Sequence, residues 1–124
     1  MDELLFARLQ MGLSLAFHIV FSVLGMALPV LIVLVEGLHL RTGNSKWIQL
    51  ARTWSKALAV LFVIGAVSGT ALSLEFGLLW PTFMRQAGGV IGLPFALEGY
   101  AFFTEAIFLG IYLYGWDRLS PKAH

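Results

Sequence analysis

LPFALEGYAFFTEAIFLGIYLYGW, residues Leu93 to Trp116, is one apolar run of membrane-crossing length with two carboxylates inside it. Glu98 and Glu105 stand seven residues apart. That is close to two helical turns, so both acids lie on one helix face, separated by roughly 10 Å of rise. A carboxylate at membrane depth is costly unless it is paired, protonated or wetted, and such residues mark proton or ion paths. The run therefore predicts a transmembrane helix built around a polar stripe.

The rest of the chain agrees with a membrane setting. Its 124 residues are 59% hydrophobic and only 12% charged, with a mean hydropathy of +0.85. Soluble domains carry about a quarter charged residues. The net charge of +1 and the lack of a basic patch interleaved with aromatic residues argue against a nucleic-acid partner. No cysteine is present, which excludes disulfides, cysteine-ligated iron–sulfur clusters and covalent c-type haem, but not non-covalent haem.

Working back from Leu93, two further spans are expected. MDELLFARLQ opens with acids, unlike a secretory signal peptide, and suits a short interfacial helix. A first span at about 12–38 contains His18 and Pro29, and the proline predicts a kink near Gly25. Residues 36–47, EGLHLRTGNSKW, read as a loop in which Ser45 caps the next helix. Trp47 to Lys56 is amphipathic and basic, as at a membrane surface. A second span at about 57–79 carries Glu75 and small residues at Gly65, Gly69, Ser73 and Gly77, a spacing that admits a neighbouring helix or a flat cofactor. TFMRQAGGVIG then reads as a Gly-rich connection to the third span at about 93–116. The expected fold is all-α, an integral membrane unit of three transmembrane helices over 1–124, embedded in a lipid bilayer.

Basic residues orient these spans. Arg41, Lys46, Arg52, Lys56, Arg118 and Lys122 fall on one side, Arg8 and Arg85 on the other. The positive-inside rule puts the N-terminus outside and the C-terminus in the cytoplasm. His18, Glu75 and Glu98 then share an outer depth, with Glu105 on their cytoplasmic side. From the residues alone, His18 is either a hydrogen-bonded polar side chain or an axial haem ligand, for which one imidazole per iron suffices. Zinc would need about three protein ligands, and no paired-histidine spacing is present. His39 at the membrane border needs no function, and His124, the last residue, is uninformative. Phe102, Phe103, Phe108, Tyr112 and Tyr114 read as packing or lipid-facing groups.

Taken together, several blocks resemble the N-terminal portion of subunit I of the cytochrome bd-type quinol oxidases, including their cyanide-insensitive branch. The carriers are Arg8-Leu9-Gln10, Phe17-His18, Gly69-Thr70, and Glu75-Phe76-Gly77 with Trp80. More specific are Gly92-Leu93-Pro94-Phe95-Ala96-Leu97-Glu98-Gly99, Phe102-Phe103-Thr104-Glu105 and Gly115-Trp116-Asp117-Arg118. The resemblance implies a haem-containing quinol:O2 oxidoreductase of a bacterial respiratory chain, in the inner membrane. It makes His18 an axial ligand of haem d or a high-spin haem b. It sets Glu98 beside the O2-reducing haem, Glu105 on the proton route from the cytoplasm, and Arg8, more weakly, near the haem propionates. Implied partners are the remainder of subunit I, a second membrane subunit, and quinol as electron donor.

The chain departs from the family pattern at Leu74-Glu75-Phe76-Gly77-Leu78-Leu79-Trp80, where the family often has Phe-Gln-Phe-Gly-Thr-Asn-Trp. A carboxylate replaces an amide there. The family's subunit I also continues through further spans that hold the quinol loop and the low-spin haem ligands, so these residues read as a truncated gene or fragment. No quinol oxidase turnover is expected from them alone. Two other readings fit the acids and the glycine stripe: part of a proton-coupled transporter, or an inert or regulatory helical module.

Overall fold

The computed structural model describes residues 2–124. It contains three helices, α1 (Asp2–Thr42), α2 (Ser45–Leu78) and α3 (Pro81–Tyr114), and no strand among the described residues. Each is long and apolar enough to cross a membrane. At 1.5 Å per residue they extend over roughly 50–60 Å, beyond a hydrocarbon core of about 30 Å, so their ends project from it. α1 has Asp2 and Glu3 in its first turn and His39 and Arg41 in its last, charges that complement the helix dipole.

The connections are shorter than the sequence pattern suggests. Residues 36–42, expected in a loop, are the last turns of α1. The helix ends at Gly43, whose φ of 69° is the left-handed conformation that glycine adopts without a Cβ penalty. The Gly43 N–H donates to the His39 carbonyl (2.8 Å). Asn44, not Ser45, caps α2, its side chain accepting from the Lys46 N–H at 3.0 Å. The basic segment 47–56 forms the first turns of α2, and its Ala51 and Ser55 are buried.

The second difference lies before Leu93. Residues 82–92 are helical, so α3 starts at Pro81 and runs through Gly88, Gly89, Gly92 and Pro94. Each interior glycine costs about 1 kcal/mol relative to alanine. Packing offsets that cost: Met84 of this segment and Phe95 beyond it both meet the Leu72–Phe76–Trp80 cluster. Pro81 occupies the helix start, where its missing N–H is harmless.

α1 and α2 form an antiparallel hairpin, and α3 returns along α2 without approaching the α1 backbone. Two apolar clusters hold the hairpin. Near the Gly43–Asn44 turn, Ile32 and Val35 of α1 meet Ala51 and Leu58 of α2, and Leu109, Tyr112 and Trp116 pack on the outside. Near the α2–α3 turn, Leu72, Phe76 and Trp80 pack with Met11, Leu15, Met84 and Phe95. No residue of α3 is fully buried.

Candidate functional site

His18 projects from the middle of α1 into the α1–α2 interface. Its Nδ1 lies 2.9 Å from Ser68 Oγ, and Ser22 Oγ lies 3.2 Å from Nε2. Ser68 donates its hydroxyl proton to the Gly65 carbonyl (3.1 Å). With that proton committed, Ser68 presents a lone pair to Nδ1, and in the matching tautomer the Ser22 hydroxyl donates to Nε2. In that tautomer Nδ1 is held by Ser68, and a metal at Nε2 would displace the Ser22 hydroxyl.

The ring is also seated on bare backbone. A Cβ at Gly69 would fall 2.8 Å from His18 Cε1 and 3.4 Å from Nε2. The stripe of small residues therefore serves here as a seat for a flat side chain. At Gly65 and Gly77 nothing lies within 4 Å of an added Cβ, and Ser73 is exposed, so the stripe is not a continuous helix-packing seam.

One turn before His18 on α1, Ser14 donates to Glu75 Oε1 at 3.4 Å. Glu75 Oε2 is buried and has no hydrogen-bond partner among the described residues. Ser14, Ser68 and Glu75 border an open groove of about 310 Å³ on the outside of the hairpin, which Leu13 and Phe17 also line.

Aromatic contacts fix the level of the α3 carboxylates. Phe95 meets Phe76 edge-on with centroids 5.9 Å apart, and Phe102 stacks on Phe62 at 5.3 Å. Glu98 falls between Phe95 and Phe102, so it is level with the part of α2 between Phe76 and Phe62, which holds Ser68 and Gly69. His18 and Glu98 thus share a level, whereas Glu75 lies opposite Ser14 and closer to the α2–α3 turn. Glu105 lies beyond Phe102, toward the cluster that includes Leu109. Glu98 is exposed and Glu105 half-buried. Neither makes a side-chain hydrogen bond or ion pair among the described residues, and nor does exposed Arg8.

A second polar cluster, not anticipated from the sequence, lies at the opposite end. Tyr112 donates to Glu36 Oε1 (2.5 Å). The His124 ring stacks on Tyr112 with centroids 4.3 Å apart, its Nδ1 3.1 Å from Glu36 Oε1 and its Nε2 2.8 Å from the Tyr112 carbonyl. Both ring nitrogens face acceptors, so a protonated ring satisfies both and a neutral ring only one. Arg52 lies over the Trp116 ring at 4.9 Å and 3.5 Å from Asp117. These contacts bring the Gly43–Asn44 turn and the segment after α3 to the same end of the molecule. Glu36 was hidden in an apparent loop, and the partners of His124 are too distant in sequence to be read from spacing.

Comparison with known proteins adds the following. The family described as cytochrome bd terminal oxidase subunit I matches residues 6–124. The putative cytochrome bd menaquinol oxidase subunit I of Bacillus subtilis (strain 168) is 44% identical over 121 residues, covering 98% of this chain and 27% of that protein. The cytochrome bd ubiquinol oxidase subunit 1 of the same organism is 37% identical, over 100% of this chain and 27% of its own length. The cytochrome bd-II ubiquinol oxidase subunit 1 of Escherichia coli (strain K12) is 30% identical, over 99% and 24%. The chain spans about a quarter of the length of these relatives.

Proposed function

The chain belongs to the cytochrome bd terminal oxidase subunit I family, and from that premise we propose that it forms the N-terminal three-helix part of a bacterial quinol oxidase, with His18 as an axial haem ligand. The observation that carries this reading is the Gly65–Ser68–His18 relay. It holds the imidazole through Nδ1, so that Nε2 can exchange its Ser22 contact for iron, while Gly69 makes room for the ring. A solitary imidazole held in this way fits a haem, which needs only one or two protein ligands. Bound there, haem d or a high-spin haem b would supply one-electron chemistry and an iron able to take O2.

The chain's own residues then have distinct tasks. Ser68 and Gly69 position His18. Glu98, level with His18 but on α3, which packs on α2 and not on α1, holds a proton for the reaction centre, and Glu105 relays protons toward it. The two carboxyls are about 10 Å apart along α3, beyond direct hydrogen-bond transfer, so water or polar groups of other helices complete the path. The exposure of Glu98 supports the same point. A carboxylate facing lipid at the bilayer centre costs about 2.5–3.5 kcal/mol on insertion scales, so this face of α3 is met by protein. The remainder of subunit I and a second membrane subunit would provide that cover, and quinol the electrons. Arg8, on the same end of α1, would meet a haem propionate. Charge bias supports this end at the outer face and the Gly43–Asn44 turn in the cytoplasm.

The test is an optical spectrum of the oxidase purified with this chain, as wild type and His18→Ala. The expected result is a haem absorbance band that is lost or shifted on removing the imidazole. A spectrum without haem, or one indifferent to His18, would refute the assignment and favour a proton-transport role for the acids.

A further inference from the structure

The basic end of the molecule carries a second groove, remote from His18. It lies between the last turns of α1, the first turns of α2 and the segment after α3, and has a volume of about 180 Å³. Leu40, Ile48, Leu119 and Pro121 give it apolar walls, and Leu40 and Leu119 are exposed. Three of its polar side chains are already engaged. Glu36 accepts from Tyr112 and lies 3.1 Å from His124 Nδ1, His124 Nε2 faces the Tyr112 carbonyl, and His39 Nδ1 donates to the Asn44 carbonyl at 2.9 Å. Arg52 is different. Its guanidinium lies over the Trp116 ring and reaches Asp117 through one N–H at 3.5 Å, although the group has five N–H donors to place.

Depth and charge narrow the occupant. α2 has 34 residues, about 51 Å at 1.5 Å each, so a hydrocarbon core of about 30 Å leaves roughly 10 Å projecting at either end. Arg52 stands seven residues after Ser45, roughly 10 Å from the helix start, which is the border between acyl chains and headgroups. Trp47, Trp54 and Trp116 cluster at the same end, as tryptophans do at that border. Arg41, Lys46, Arg52, Lys56, Arg118 and Lys122 fall on this side, against the acids Glu36 and Asp117. A ligand that matches must offer negative charge, acceptors for a planar fork and an apolar body. An anionic phospholipid has all three, and basic pockets between helices at a membrane surface bind such headgroups.

We propose that this groove binds an anionic phospholipid of the leaflet at the Gly43–Asn44 end, with the phosphodiester on Arg52 and the glycerol and upper acyl chain along Leu40, Ile48 and Leu119. Arg52 keeps its stack on Trp116 and turns its unused N–H edge to the phosphate, a pairing that a guanidinium makes through two parallel bonds. Glu36 does not oppose the ligand directly, because its oxygens are turned to Tyr112 and His124. The site needs the membrane setting only and is independent of a haem at His18.

The experiment is photo-crosslinking of the oxidase purified with this chain, reconstituted in phosphatidylcholine vesicles that contain a photoreactive phosphatidylglycerol, with adducts mapped by peptide mass spectrometry. Adducts should fall within residues 36–40 or 116–123. Arg52→Gln should lower their yield about fivefold, the weight of one basic side chain at an anionic surface. Arg85→Gln, at the other end of the molecule, should leave the yield unchanged. Unlabelled phosphatidylglycerol should compete and inorganic phosphate should not. Should Arg52→Gln fail to assemble, the two competitions in the wild type still decide. The proposal is overturned by an absence of adducts at the groove, as when other helices cover it, or by equal labelling from a photoreactive phosphatidylcholine. Competition by inorganic phosphate, or a yield indifferent to Arg52→Gln, overturns it as well. The haem spectrum of the same samples scores the His18 assignment separately.

Discussion

Replacing Gly69 with alanine puts the seat of His18 to a sharp test. The new Cβ would lie 2.8 Å from Cε1 and 3.4 Å from Nε2, with Nδ1 at 3.5 Å. Carbon atoms in contact prefer about 3.5–4.0 Å, so the ring must retreat by roughly 0.7–1.2 Å. The Nδ1–Ser68 separation of 2.9 Å would then open beyond hydrogen-bonding distance if the ring moves away from α2. The bond lost is worth about 0.5–1.5 kcal/mol, or roughly two- to tenfold in any equilibrium that depends on it. Loss of a partner that orients a ligand weakens metal binding by about 10–100-fold, which sets the upper end for haem. Alanine meanwhile stabilises the helix itself by up to about 1 kcal/mol. Haem affinity and fold stability should therefore part company: haem titration weakens at least severalfold while the thermal unfolding midpoint holds or rises. Gly65→Ala is the control, since nothing lies within 4 Å of its added Cβ. Equal haem titrations for wild type and Gly69→Ala would refute the seating of the ring.

Other expectations follow from the same contacts. Ser68→Ala removes the acceptor for Nδ1 and should lower haem affinity about 10–100-fold, measured by the same titration, with Ser68→Thr retaining most of it. Tyr112→Phe breaks the bond to Glu36, a hydrogen bond to a charged group worth about 1.5–3 kcal/mol, and should speed tryptic cleavage at Arg118 and Lys122 in the segment that His124 anchors. Arg52→Ala should lower stability by no more than about 1 kcal/mol in detergent unfolding, because its ion pair with Asp117 is largely exposed. Leu58→Ala, which empties a buried position between α1 and α2, should cost about 2–5 kcal/mol in the same assay.

Local composition made the three apolar helices legible, and the seven-residue spacing of Glu98 and Glu105 was enough to put both on one stripe. Helix ends were less legible. Gly88, Gly89 and Gly92 look like a connection when judged by propensity, which leaves out the packing of Met84 and Phe95, on either side of them, against α2. The run 36–42 looked like a loop because Glu36, His39 and Arg41 are polar, although such residues sit well in a last turn that projects from the bilayer. The glycine stripe named the right helix without showing which member mattered, since four small residues at one spacing are equivalent until a neighbour arrives at one of them.

Fold class, membrane setting and the resemblance to the oxidase family rest on patterns that repeat along the chain: hydrophobic runs, a helical spacing, and blocks such as Gly92–Gly99. None needs a contact between distant residues. The seating of His18, the unmet oxygen of Glu75 and the Glu36–Tyr112–His124 cluster are of another kind. The contacts around them link residues between 12 and 88 positions apart, and they exist only once α1, α2 and α3 are brought into register. Hydrophobic periodicity specifies which face a helix buries, but a hydrogen bond needs an atom placed to within a few tenths of an ångström, and packing alone decides that.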